Sequence, residues 1–296
     1  STTTTRLGKA TTLHLGAGME RTGYGHEDLL ITSTFDVDQR SAVLPYAGIE
    51  HVLRNGPLLH ARYAESVSRP TIWELLGTDG GFDAALQPER ITEFEVGVSS
   101  ALDTSRLQFQ LSGFNRRVTR LISAVENIEG TTYRNSGYVG LHGVELEARY
   151  HMGLSPTSRL TGMAYATLQN WNDPVVPPGV PRAMAGIRLV YAFRQGSSVE
   201  TGLRVSSSVV AQRPVVGNER SMEGYQTMHG RIEHRFTLKR GIISVFIHCE
   251  NLLDARYTSW VQVNDPGGRF YNPAPGRSFF FGTKLTFGRQ KAGPGD

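Results

Sequence analysis

A single cysteine, Cys249, stands in the whole chain, so no internal disulfide staples the fold. No run approaches the ~20 consecutive apolar residues that a membrane-spanning helix requires. The start, "STTTTRLGKATT", lacks the apolar stretch of a secretory signal peptide, as expected of a mature or shortened product or of a cytoplasmic chain. Basic residues number 31 against 27 acidic ones, but they are scattered, and a net charge of +4 without a cluster is no footprint for nucleic acid. Helical periodicity is almost missing, apart from one turn at "TIWELLG". Together these absences exclude a helical membrane protein and a disulfide scaffold. A mean hydropathy of −0.28 would suit a water-soluble domain. It suits a membrane β-barrel equally, because a barrel wall shows apolar residues only at alternate positions.

What the chain does have is period-two alternation. Val144, Leu146, Ala148 and Tyr150 alternate with Glu145, Glu147 and Arg149. Ala185, Ile187, Leu189, Tyr191 and Phe193 form another such set, and Phe279, Phe281, Leu285 and Phe287 close the series. Twelve strand-like runs follow, near 10–21, 41–53, 58–68, 90–102, 106–122, 132–151, 158–170, 182–194, 198–210, 225–239, 242–252 and 277–287. Short turns at 54–57, 103–105, 151–158, 194–197 and 239–241 alternate with long loops near 22–40, 69–89, 123–131, 171–181, 211–224 and 253–276. A soluble sandwich has no reason to put every long connection at one end, whereas a transmembrane barrel does. The polar faces carry charges of both signs, among them Arg231, Glu233 and Arg235, as a wide wet lumen would. Aromatic residues at Tyr150, Tyr191, Phe193, Phe236 and Phe287 fall next to the short turns, where an interfacial girdle lies.

Six stretches, in order, then carry a resemblance. "PYAGIEHVLRNGPLLHARYAESVSRPTIWELLG" ends in a Y-x-x-S-x-R-P segment, and "LQPERITEFEVGV" opens a strand with L-x-P-E and E-x-G. "RNSGYVGLHGVELEA", "PPGVPRAMAGI", "CENLLDARY" and "GRSFFFGTKLTF" follow at compatible spacings. From about residue 41 to 287 the chain resembles the C-terminal part of the β-barrel of TonB-dependent outer-membrane receptors. The resemblance implies an all-β fold, an antiparallel transmembrane β-barrel represented by about twelve strands of a wall of about 22, with the plug domain absent. Residues 1–287 would be barrel and 288–296 a polar tail. It implies a location in the bacterial outer membrane and uptake of a scarce nutrient, most often a ferric siderophore, energised through TonB. Its partners would be outer-membrane lipid and lipopolysaccharide, the small-molecule ligand, and the TonB complex acting through an N-terminal region. A monomer is expected, with no enzyme activity, no cofactor and no metal site. The alternatives are a self-contained, porin-like diffusion pore and an outer-membrane lipid hydrolase with a Ser/His pair, although no Ser or His context marks an activated nucleophile.

The candidate ligand-binding residues are loop aromatics and mouth arginines: Trp73, Tyr133, Trp171, Trp260 and Tyr271, with Arg116, Arg120 and Arg134 grouped around the loop at 123–131. Arginine beside aromatic surface suits planar, anionic ligands such as iron-bound catecholates, through charge-assisted hydrogen bonds and cation–π contact. Interfacial anchoring of the same aromatics, and pairing of the arginines with lipopolysaccharide or loop acids, is the competing reading. Arg116 and its neighbour Arg117 cannot both face the lumen. His248 and Glu250 share one strand face with Cys249 on the other; their spacing is no metal signature, and a lumenal hydrogen-bonded pair is expected.

Overall fold

The computed structural model describes residues 2–28, 33–54, 56–77, 82–100, 106–128, 130–172, 179–193, 196–212, 220–238, 241–261 and 271–287. The expected turn at 103–105, the middles of several loops and the tail 288–296 lie outside the described residues. Among the described residues, seventeen strands and one short helix follow in chain order. They are β1 (Thr2–Leu7), β2 (Thr11–Asp28), β3 (Ser33–Val52), β4 (Leu58–Ser68), α1 (Ile72–Leu76), β5 (Glu89–Ser99) and β6 (Leu107–Asn127). Next come β7 (Gly130–Ser155), β8 (Ser158–Trp171), β9 (Ala183–Phe193), β10 (Ser197–Ser206), β11 (Val209–Gln212) and β12 (Arg220–Met222). The last are β13 (Tyr225–Leu238), β14 (Gly241–Glu250), β15 (Thr258–Val261), β16 (Tyr271–Pro273) and β17 (Ser278–Phe287). Thirteen of the strands make one antiparallel sheet in which each strand pairs with the next, and β11–β12 and β15–β16 are two small ribbons. The edges of the large sheet are β1 and β17, and it does not close on itself.

The alternation reads through to the register. Ile187 lies opposite Leu203, Tyr191 opposite Val199, Val199 opposite Ile232, Ile232 opposite Ile247, and Ile247 opposite Phe281. Cross-strand partners share a face, so these residues form one continuous apolar surface, and all of them are exposed. On β7 the apolar set runs from Val144 to Met152, a span of the ~9–11 residues that one tilted strand needs to cross a bilayer. Above it the same face turns polar at Asn115 opposite His142.

The opposite face is a wall of ion pairs. His14 and Arg62 reach Glu50 at 3.6 and 3.9 Å, and Arg62 and His60 reach Glu95 at 3.7 and 2.9 Å. Farther along, Arg188 and His229 share Glu200 at 2.7 and 3.4 Å, and Arg231 and Arg235 share Glu233 at 2.7 and 2.9 Å. His248 and Glu250 form the expected pair at 2.8 Å, and Arg116 is bonded to Glu93. Rings on this face lie sideways over a glycine directly opposite on a neighbouring strand: His60 over Gly97, Phe114 over Gly143, Tyr165 over Gly186, His229 over Gly202 and Phe246 over Gly282. A Cβ added at Gly97 would come within 2.6 Å of the His60 ring, and one at Gly186 within 2.5 Å of Tyr165. Each glycine thus lets a bulky inward ring lie along the wall instead of standing up from it.

Several expectations need correction. Among the described residues there are thirteen main strands rather than twelve, because "TTTTRL" pairs with β2 as β1. Its threonines are good strand formers but carry no apolar–polar alternation, so the period-two signal passes over them. The supposed long loops at 22–40 and 123–131 are mostly strand: β2 and β3 extend to Asp28 and from Ser33, and β6 and β7 to Asn127 and from Gly130. These extensions rise beyond the apolar band, where neither face has reason to alternate. Arg120 has φ 58° and Gly137, facing it, φ 45°. Beyond this kink the parity slips, for Val118 and Leu121, three apart, pack on one cluster. The expected turn at "TIWELLG" is α1, started by a capping box: the Thr71 side chain accepts from the Glu74 N–H and the Glu74 carboxylate accepts from the Thr71 N–H.

Candidate functional site

At the long-loop end the inner face opens into a cleft of about 430 Å³. Its floor is sheet: Thr167 and Gln169 from β8, Met184 from β9, Arg204 and Ser206 from β10, and Tyr225 from β13. Both ribbons contribute walls, through Val209 and Met222 on one side and Thr258 and Trp260 on the other. Register explains the convergence, since Met184 and Tyr225 both sit opposite Ser206, and Thr167 opposite Met184.

Arg204 and Glu223 are the charged residues that line the cleft. The Arg204 guanidinium stands 5.9 Å from the Tyr225 ring centroid and 3.5 Å from the Met184 sulfur. Among the described residues no carboxylate is within ion-pair distance of it. Tyr225 packs on Tyr257 with centroids 4.5 Å apart. Burial, with Tyr225 and Glu250 alongside, pushes the pKa of the Tyr257 hydroxyl up, so that it stays a donor. A guanidinium with no ion-pair partner among the described residues, a tyrosine pair and an exposed indole make a surface for a planar anion.

The loop that carries Tyr257 and Trp260 is clamped at its root. Asn251 is buried with φ 51°, and its amide nitrogen donates to the carbonyls of Ala255 (2.9 Å) and Pro275 (3.3 Å). Its amide oxygen accepts from the Ala255 N–H at 2.9 Å, while the Asp254 carboxylate accepts from the Arg277 N–H at 2.9 Å. Asn and Asp tolerate left-handed backbone because their short polar side chains bond locally, so this pair ends β14 and ties both ends of the loop together.

The residues singled out from sequence are distributed unevenly. Trp260, 61% exposed, lines the cleft. Tyr271 is paired with Val261 in the adjoining ribbon, but its side chain lies outside the described residues. Trp73, 70% exposed on α1, stands at the same end of the sheet above β4 and β5. Arg116 points inward to Glu93 and Arg117 outward over the Tyr138 ring at 4.4 Å, so the two do part. Arg120 and Arg134 are exposed on strands rather than in a loop. Tyr133 and Trp171 are corrected in position. Tyr133, 4% exposed, is packed with Leu75, Leu86 and Ile122, where α1 and the following segment cover the β6–β7 hairpin. Trp171, 8% exposed, is packed with Phe114, Val139 and Leu141 under the Arg182 guanidinium at 4.3 Å. Neither ring presents a free face. Arg204, Tyr225 and Tyr257 are not among the residues singled out from sequence, although inward parity on β10 and β13 marks the first two.

Ser197 Oγ and His234 Nδ1 are 2.6 Å apart, the nearest approach to a hydrolase pair. They lie on the outward face at the short-turn end, His234 edge-on to Phe236, and among the described residues no carboxylate orients the ring. Among the described residues no group of three or more His, Cys, Asp or Glu is placed to hold a metal ion.

The fold is similar to that of solved outer-membrane proteins. The copper transporter OprC matches with a TM-score of 0.68 at 23% identity, over 96% of this chain and 46% of that one. The ferric-catecholate import receptor Fiu from E. coli K12 matches at 0.68 and 17%, over 96% and 43%. The ferric yersiniabactin uptake receptor FyuA from Yersinia pestis matches at 0.65 and 18%, over 96% and 44%. The chain therefore spans less than half the length of these structures. The family model described as TonB dependent receptor-like, beta-barrel matches residues 3–252, and the chain belongs to that family.

Proposed function

We propose that this chain is part of the wall and mouth of an outer-membrane receptor that takes up a small anionic metal chelate, of the ferric siderophore kind, with energy supplied through TonB. In this reading the apolar face meets lipid, the long-loop end faces outside, strands outside residues 1–296 complete the wall, and the ion-paired face surrounds a plug contributed from elsewhere. The protein acts as a monomer, with lipopolysaccharide around its outer rim.

The observation that carries the reading is Arg204, without an ion-pair partner among the described residues, in an aromatic cleft at the long-loop end. Likeness to ferric-catecholate and ferric yersiniabactin receptors supports the ligand class. Likeness to a copper transporter raises a bare copper ion as the rival cargo, and Met184 and Met222 would be soft ligands for it. Arg204 supports the chelate over the bare ion, because a guanidinium 3.5 Å from the Met184 sulfur repels a cation and attracts an anion, although Glu223 lines the same cleft.

The test is binding and uptake by the protein purified from, or expressed in, outer membranes. Removing a charge-assisted contact costs about 1.5–3 kcal/mol, so Arg204→Gln should weaken ferric-catecholate binding roughly tenfold or more. Uptake should stop when TonB is deleted. Unchanged binding by Arg204→Gln would refute the site, and uptake independent of TonB would indicate a diffusion pore instead.

A further inference from the structure

A second cavity, also about 430 Å³, lies at the opposite, short-turn end, where β6, β7, β8 and β9 meet. Its polar side is cationic. Arg106 stands across from His151, whose N–H donates to the Arg106 carbonyl at 2.8 Å, and Arg159 stands across from Gly153. Among the described residues neither arginine has a carboxylate within ion-pair distance, and no carboxylate lines the cavity. The hydroxyls of Ser155 and Ser158, 2.8 Å apart, add donors at the turn. Gly153 leaves the floor open, for a Cβ there would meet nothing within 4 Å.

The other side of the cavity is apolar. Met152 and Phe193 belong to the outward face, Phe193 stacked on Tyr191 at 5.5 Å. The cavity therefore wraps the lower rim of the sheet, with two guanidiniums within that meet no described carboxylate, and a ring and a thioether at the border of the apolar band. Two like charges held around an empty floor favour an anion between them, and an arginine pair matches phosphate oxygens. An apolar margin fits a ligand whose phosphate carries acyl chains.

We propose that this rim binds the phosphate of an anionic phospholipid in the leaflet on the short-turn side, with Arg106 and Arg159 on the phosphate and Met152 and Phe193 beside the first carbons of the chains. The proposal rests on the reading that the apolar face meets lipid.

Native mass spectrometry on the protein purified from outer membranes and delipidated in detergent tests it, with phosphatidylglycerol, phosphatidylcholine and inorganic phosphate as separate probes. Wild type should retain phosphatidylglycerol at least about fivefold better than phosphatidylcholine. R106Q/R159Q should lose that preference, and so should G153E, which puts a carboxylate between the guanidiniums; R149Q, on the same strand and higher up, should keep it. Heat-modifiable migration on a gel shows which variants are folded, and G153E decides if the double variant is not. Equal preference in G153E and wild type, no preference in wild type, or retention of inorganic phosphate without lipid preference overturns the proposal. Absence of the wild-type protein from the outer-membrane fraction would instead overturn the membrane reading beneath it.

Discussion

Replacing Asn251 by alanine should be among the costliest single changes at the mouth. The side chain makes two bonds to carbonyls and receives one from the Ala255 N–H, all within a site where Asn251 is only 4% exposed. At about 1 kcal/mol net for each hydrogen bond, their loss amounts to about 3 kcal/mol. Alanine at φ 51° adds about 1–2 kcal/mol of backbone strain that asparagine largely escapes. The expected total is about 4–5 kcal/mol for Asn251→Ala. Asn251→Gly keeps the backbone conformation and should cost only the hydrogen-bond part, so the two variants separate the contributions. The damage is local, at the root of the loop bearing Tyr257 and Trp260. It is best read by hydrogen exchange at residues 251–257 and limited proteolysis of the loop in the purified protein, alongside urea titration. Protection of Ala255 within about tenfold of wild type in Asn251→Ala would refute the clamp, since 4 kcal/mol corresponds to a change of about a thousandfold.

The remaining predictions concern the wall and its orientation. Leu189→Arg on the apolar face should cost roughly 2–4 kcal/mol in a folding titration into lipid, while Val190→Arg, inward and opposite Glu200, should cost little; equal costs would contradict the assignment of faces. Gly202→Ala should force the His229 ring off the wall and away from Glu200 at a cost of about 1–3 kcal/mol, whereas Gly153→Ala, whose site is open, should be neutral; a neutral Gly202→Ala would mean the ring has room elsewhere. A cysteine at Trp260 should react with a membrane-impermeant reagent on whole cells and one at Thr157 only after permeabilisation, the reverse order meaning an inverted topology.

How much of this was legible in the sequence depends on where the two faces differ in solvent. Leu189 and Ile187 against Arg188 report their faces because one side is apolar surface and the other a charged wall, so the period of two survives into the register. The threonines of β1 have no such contrast, and neither do the upper parts of β6 and β7, so the strands there are invisible in the sequence or read as loops. Tyr133 and Trp171 show a different limit. An aromatic residue near a loop reads the same whether it faces a ligand or packs under a helix, and α1 covering the β6–β7 hairpin is a tertiary fact. Arg204 was within reach, since its inward parity on β10 follows from Leu203 and Val205. What sequence lacks is the sign that, among the described residues, no carboxylate pairs with it, Glu223 in the same cleft included. That depends on which residues of β9 and β13 fall opposite.

The edges and the interior of the sheet bear on the same point from two sides. With thirteen antiparallel strands, β1 and β17 run in the same direction and cannot pair antiparallel with each other. Backbone groups left unpaired in lipid cost several kcal/mol each, so the proposed wall must gain strands, and an odd number of them. A wall of about 22 strands would need about nine more, which is odd. The outward residues of β17 show the same need, for Phe279, Phe281, Leu285 and Phe287 are 60, 74, 56 and 81% exposed where a neighbouring strand would pack. On the inner face, five rings lie over glycines rather than filling the space in front of them. A narrow barrel closes by packing such rings into its own core; here they are laid aside along a charged wall, as suits an interior left open for something else to occupy.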